Sequence, residues 1–151
     1  MPLVLSLLLL AVVVILVLLR TKPGSLYALI GTPLQRVRDT RLAATILMIQ
    51  LVRTGSPVTA SEKTKILELM DDPLSIKDAS AMFEQAWTYT EPRVFFSTYA
   101  DQLLPLLRTK LAPLERRQLV GMLTEVANSY GEVSELQEGA INRLDKHLMV
   151  L

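Results

Sequence analysis

Cysteine is absent from the 151-residue chain. No thiolate nucleophile, disulfide or cysteine-bound zinc can therefore form. Histidine occurs once, as His147, which removes any site built on two imidazoles. Aromatic residues amount to only 5%, although half of the chain is apolar. Apolar content with so few rings favours packed helices over a β-sandwich or barrel. No segment shows sustained period-two alternation, the mark of a half-buried strand. The same composition excludes a disordered, collagenous or disulfide-stapled chain.

The remaining chemistry is thin. No stretch matches G-x-x-x-x-G-K followed by Ser or Thr, or G-x-G-x-x-G, so a phosphate cradle has no sequence support. A Ser-His-Asp triad would depend on His147, four residues from the C-terminus, where a cation more often serves the helix dipole. Asp71 and Asp72 precede Pro73 in an evident turn. Glu132, Glu135 and Glu138 surround a helix start, where acids suit the dipole. The expectation is a protein that is not an enzyme and takes no cofactor.

What is present is a long apolar run at the start. Residues 3–19 carry no charge and only one polar side chain, Ser6. As a helix they reach about 26 Å, enough for the core of a thin bilayer. A cleaved signal peptide would need a basic start, a shorter run and a small-x-small site. None of these is in the sequence. Residues 1–20 are therefore read as a transmembrane anchor, with the lipid bilayer as partner of residues 3–19. Arg20, Lys22, Arg36, Arg38 and Arg41 all follow the run. By the positive-inside rule the N-terminus lies outside and the remainder in the cytoplasm, on the inner membrane of a bacterium. The same cations either rest on anionic headgroups or act as solvated stop-transfer charges.

Charge is uneven beyond the run. Through residue 60 there are six basic residues against Asp39 alone; the rest carries ten basic and fourteen acidic ones. A nucleic-acid binder would gather its cations on one face of a domain, so no nucleic-acid partner is expected. Residues 21–33 hold two Gly and two Pro and read as a linker. Residues 34–151 follow as one all-α domain, long enough to bury its own core.

Within that domain Leu42, Ile46 and Ile49 recur at helical spacing, and Gly55-Ser56-Pro57 ends the helix. Thr59 and Glu62 form a capping box for a helix through Met70, closed by Asp71-Asp72-Pro73. Ser75 with Asp78 opens the next helix, which carries Met82, Phe83 and Trp87. Glu91-Pro92 starts another, which Pro105 should kink or divide. Pro113 opens a helix to about Ser129, and Ser134 caps the last, with Ala140, Ile141, Leu144 and Leu148 as its stripe. A shift of 75 residues superposes Val58 on Val133, Thr59 on Ser134, Ile66 on Ile141 and Leu69 on Leu144. It also lays Leu47, Met48, Leu51 and Val52 on Met122, Leu123, Val126 and Ala127. Two unrelated amphipathic helix pairs could also match in this way, so a true pseudo-repeat and a chance one both stay open.

The segment GMLTEVANSYGEVSELQEGAINRLDKHL, residues 121–148, resembles the TerB-like helical domain of tellurite-resistance proteins, which is also found in the N-terminal part of the membrane co-chaperone DjlA. The family pattern is an apolar helix, then Ala-Asp-Gly-x-Val/Ile-Ser/Thr-x-x-Glu, then a second apolar helix, near both ends of an all-helical bundle. Gly131, Val133 and Ser134 keep it in the second copy; Val58, Thr59 and Glu62 keep it in the first. The resemblance covers about residues 35–151 and implies an all-α, multi-helix bundle.

In the family the acidic turns are associated with divalent metal. Here the Asp positions fall on Gly55 and Tyr130, and the second Glu position on Gln137. Hard cations want several carboxylate oxygens, so no metal site is expected; Glu62, Glu132 and Glu135 are its only weak candidates. No J domain is expected, since the single histidine lies in Lys146-His147-Leu148 and not in His-Pro-Asp. The reading is a membrane-anchored, non-catalytic interaction module with a protein partner, linked by family analogy to envelope or metal-stress responses. The alternative is a divalent-metal-binding domain with a degenerate acidic site. Trp87, Tyr89, Phe95, Phe96 and Tyr99 concentrate the large rings; core packing is their default role. Trp87, Tyr89 and Tyr99 are the candidates for a partner groove, because Trp and Tyr favour interfaces.

Overall fold

The computed structural model describes residues 33–54 and 56–150, together with Val4, Ser6 and residues 10–13. Two compact units separate at Thr32 and Pro33. In the first, Val4, Ser6 and residues 10–13 are helical and exposed. The rest of the expected span 3–19, and residues 21–32 of the expected linker, lie outside the described residues. Among those described, no helix is long and apolar enough to cross a membrane.

The second unit is all-α, with no strand among its described residues. A single 3-10 turn, Pro33–Arg36, precedes six helices: α1 (Thr40–Arg53), α2 (Ala60–Asp71), α3 (Ala79–Tyr89), α4 (Phe96–Lys110), α5 (Pro113–Asn128) and α6 (Glu135–Met149). Helix α1 is the axis. The expected stripe of Leu42, Ile46 and Ile49 is only part of its apolar surface, because all of residues 42–52 are buried. A helix that is apolar all round belongs in the middle, and α2, α3, α4 and α5 each pack against it. Helix α6 completes the bundle against α4 and α5.

Helix starts follow local chemistry. Asp39 caps α1 by accepting from the Arg41 amide at 2.8 Å, and Asp78 caps α3 through the Ala81 amide at 3.0 Å. Pro113 stands first in α5, where its missing N–H costs nothing, and Glu115 Oε2 accepts from the Ala112 amide at 2.7 Å. Three boundaries differ from the sequence expectation. Ser75 does not open α3. It takes a left-handed φ of 53° in the connection that follows α2: the Ser75 amide donates to Asp71 O and the Ile76 amide to Met70 O, which folds this segment back on the end of α2. Glu91-Pro92 does not start a helix; α4 begins at Phe96 because α1 captures the intervening backbone, as described below. Pro105 lies inside α4 without dividing it. Its ring and the Asp101 carbonyl it would orphan are on the exposed face, where water replaces the lost donor.

The helices run alternately up and down. Gln50, near the end of α1, bonds Val94 just before α4. Asp101 pairs with Arg143 and Arg108 with the His147 carbonyl, so α4 and α6 run parallel. The turns after α1, α3 and α5 thus share one end of the bundle. At the other, Arg116 donates to the carbonyls of Leu111, Arg108 and Leu148 and ties three helix ends together. The start of α1 also sits at that end, beside Leu111 and Glu115. Arg41 is thereby brought to the same end as Arg108, Arg116 and Arg117, cations from opposite halves of the chain.

Candidate functional site at the paired turns

Each helix–turn–helix copy ends in a box built the same way. In the first, Thr59 Oγ1 accepts from the Glu62 amide at 3.2 Å and Glu62 Oε2 accepts from the Thr59 amide at 2.8 Å. In the second, Ser134 Oγ accepts from the Gln137 amide at 3.2 Å and Gln137 Oε1 faces the Ser134 amide at 3.4 Å. The residues paired by the 75-residue shift play equivalent parts. Ile66 and Ile141, Leu69 and Leu144, Leu51 and Val126 are all buried, and Val58 and Val133 both pack on the rim of the core. Gly131 turns the second copy with a φ of 143°, a conformation that side chains resist. Gln137 Nε2 then donates to Leu51 O at 3.4 Å, which places the start of α6 against the last turn of α1.

These residues do not fit a divalent cation. Glu62 is buried and its carboxylate is committed to the cap. Gln137 presents a neutral amide whose N–H₂ already has a carbonyl partner. Tyr130 offers a phenol and no carboxylate, and Gly55 lies outside the described residues. Glu132 and Glu135 are exposed on the second turn. Among the described residues no group of three or more His, Cys, Asp or Glu could hold a metal ion.

The aromatic candidates meet on the neighbouring segment between α3 and α4. Gln50 is fully buried, and its side chain serves that segment's backbone. Nε2 donates to Glu91 O at 2.9 Å and to Val94 O at 2.6 Å, and Oε1 accepts from the Glu91 amide at 3.1 Å. One turn on, Arg53 Nη1 donates to Thr90 O and Oγ1, and its guanidinium lies 3.9 Å from the Trp87 ring centre. Trp87 stacks on Phe83 at 6.0 Å. Tyr99 Oη donates to Tyr89 O at 2.6 Å. Burial raises the Tyr99 phenol above its ordinary value; Glu91 raises it further, and Arg53 opposes. Tyr99 is therefore a core residue, whereas Trp87 and Tyr89 are half-buried.

Three exposed apolar residues at this end stand outside the expected partner set: Phe95 at 72%, Tyr130 at 70% and Leu136 at 87% exposure. Leu136 carried a usable signal, since it falls off the stripe of Ala140, Ile141, Leu144 and Leu148. Phe95 belonged to the cluster of large rings, but its exposure depends on where α4 begins.

A helical bundle assembled from two capped helix–turn–helix copies, with both turns brought to one end, defines the class. Residues 41–150, more than two thirds of the chain, match the model of the tellurite resistance protein TerB family. The chain belongs to that family. No curated protein and no solved structure matches it significantly.

Proposed function

We propose that this protein is a membrane-anchored, non-catalytic interaction module of TerB-like type that holds a protein partner at the cytoplasmic face of a bacterial inner membrane. One observation carries the reading. The end of the bundle where the family has acidic turns keeps Glu62 as a cap, puts Tyr130 and Gln137 in acidic positions, and exposes Phe95, Tyr130 and Leu136. Large apolar side chains left exposed at one end of a bundle are more useful to a partner than to an isolated domain. The anchor rests on the apolar run 3–19 and the cations that follow it. The link to envelope or metal stress rests on family analogy.

Fractionation and co-purification test this. Full-length protein should sediment with membranes and resist alkaline extraction, and a fusion after Leu151 should be active only in a cytoplasmic reporter format. Detergent-solubilised protein should retain a stoichiometric partner. Processing near residue 20, or a full-length chain that purifies alone from membranes, would refute the reading.

A further inference from the structure

Gly121 lies in the middle of α5 without a reason inside the bundle. Glycine weakens a helix relative to alanine, and its usual justification, a left-handed φ, is found at Gly131 and not here. A Cβ added at Gly121 would meet nothing within 4 Å beyond its own helix. The position instead opens on a hollow of about 710 Å³ between α5 and α6. The helix face around it is balanced in character. Arg117 and Glu125 stand one turn before and after Gly121, Gln118 and Thr124 lie just inside them, and Leu114 and Asn128 lie a further turn out; all six are exposed. Residues three and four apart share one face of a helix. Among the described residues neither Arg117 nor Glu125 is in an ion pair, and neither has a charged residue three or four positions away. Asp145 lines the same hollow from α6 without pairing with Arg117.

We infer that this face of α5 docks a second copy of the chain, the two α5 helices crossing antiparallel at Gly121 on a two-fold axis. A two-fold contact presents one patch to itself, so it must be complementary to its own reverse. Turned end for end at Gly121, Arg117 falls on Glu125 of the partner subunit, and Glu125 on the partner subunit's Arg117. Gln118 falls on the partner's Thr124, amide on hydroxyl. Parallel helices would set Arg117 and Glu125 each on its own kind, so charge fixes the direction. Glycine at the crossing lets the backbones approach. Helix axes about 10 Å apart leave facing Cα atoms about 5 Å apart. Gly139 is a second exposed glycine inside a helix with open space beside it. Its flanking Arg143, however, is already held by Asp101 at 3.2 Å. Self-association of this kind is additional to the protein partner of the interaction-module reading and does not depend on it.

The chain has no cysteine, so single cysteines report the contact without background. Full-length protein in phosphatidylcholine vesicles is oxidised with copper phenanthroline and resolved on non-reducing gels. Gly121→Cys should give disulfide dimers, since facing Cα atoms lie within bridging range. A mixture of Leu114→Cys with size-tagged Asn128→Cys should give the mixed dimer in excess of either homodimer. In the Gly121→Cys background, Arg117→Glu or Glu125→Arg should slow dimer formation about fivefold. The two charge changes together should restore it. Gly139→Cys, and Leu136→Cys at the other end of the bundle, should stay monomeric. All these positions are exposed, so the melting temperature should hold.

Absence of Gly121→Cys dimers, a mixed dimer no more abundant than the homodimers, or failure of the double charge exchange to restore the rate would overturn the proposal. So would dimers through Gly139→Cys with none through Gly121→Cys, which would move the contact to α6. An adduct of Gly121→Cys to a different protein in native membranes, without a self-adduct, would assign the face to another occupant and equally overturn it.

Discussion

Gln50→Ala should be the most informative single substitution in the fold. Gln50 is fully buried, and its side chain bonds main-chain groups of both Glu91 and Val94. Truncation removes the Gln50 bonds to the Glu91 carbonyl and amide and to the Val94 carbonyl, of which Val94 O keeps a longer bond from Thr54 Oγ1 at 3.3 Å. Each hydrogen bond contributes about 1 kcal/mol net, and a buried group left unsatisfied costs about 1–3 kcal/mol. Glu91 is exposed and Val94 half-buried, so water recovers part of the loss. The expected destabilisation is about 2–3 kcal/mol, or roughly 8–12 °C in Tm for a domain of this size. Urea unfolding of residues 33–151 should show a lower midpoint with unchanged slope, the sign of lost stability without altered compactness. Hydrogen exchange should accelerate most at the Glu91 amide, whose acceptor is removed. Gln50→Glu should be at least as damaging, because a carboxylate offers no donor to the two carbonyls. A loss below about 0.5 kcal/mol, the range of an ordinary surface change, or unaltered exchange at Glu91 would refute the clamp.

Tyr99 should make the domain sensitive to alkali. Its native phenol ionises at a higher pH than in the unfolded chain, so its contribution is complete below the unfolded value and is lost as pH rises through the native one. Urea midpoints should fall above about pH 10, and Tyr99→Phe should lower stability by about 1 kcal/mol at neutral pH while flattening that fall. Thr59→Ala should cost about 1 kcal/mol as a lost helix cap, read as a Tm decrease that divalent cations do not alter. Millimolar calcium or magnesium should leave Tm unchanged, whereas a folded-state ligand at a hundredfold its Kd would add about 2.7 kcal/mol. A cation-induced rise that disappears in Glu62→Gln would restore the metal-binding alternative.

The sequence by itself determined the features whose causes lie within a few residues. Thr59 with Glu62, Ser134 and Pro113 declare their helix starts because cap and capped amide sit within three positions of each other. The all-α class and the family pattern in residues 121–148 were legible for the same reason: helical periodicity is a local property. The start of α4 was not, since the side chain that holds residues 91–94 out of a helix comes from Gln50, forty-one residues earlier. Nor could local chemistry show that Ser75 stays in the connection after α2 instead of opening α3, whose cap is Asp78.

The candidate site divides similarly. Sequence singled out the cluster of large rings, but exposure belongs to the packed object. Tyr99 turns inward to the Tyr89 carbonyl, whereas Phe95 and Leu136 are left outside. The two halves of the chain differ in charge, yet the bundle re-sorts that charge by end. Up-and-down helices return Arg108, Arg116 and Arg117 to the end where Arg41 begins α1, and leave Glu91, Glu132, Glu135 and Glu138 where Phe95 and Leu136 emerge. Helix connections reverse the chain direction, and charge follows direction instead of position along the chain. Only the tertiary structure could therefore bring those residues to one end of the bundle.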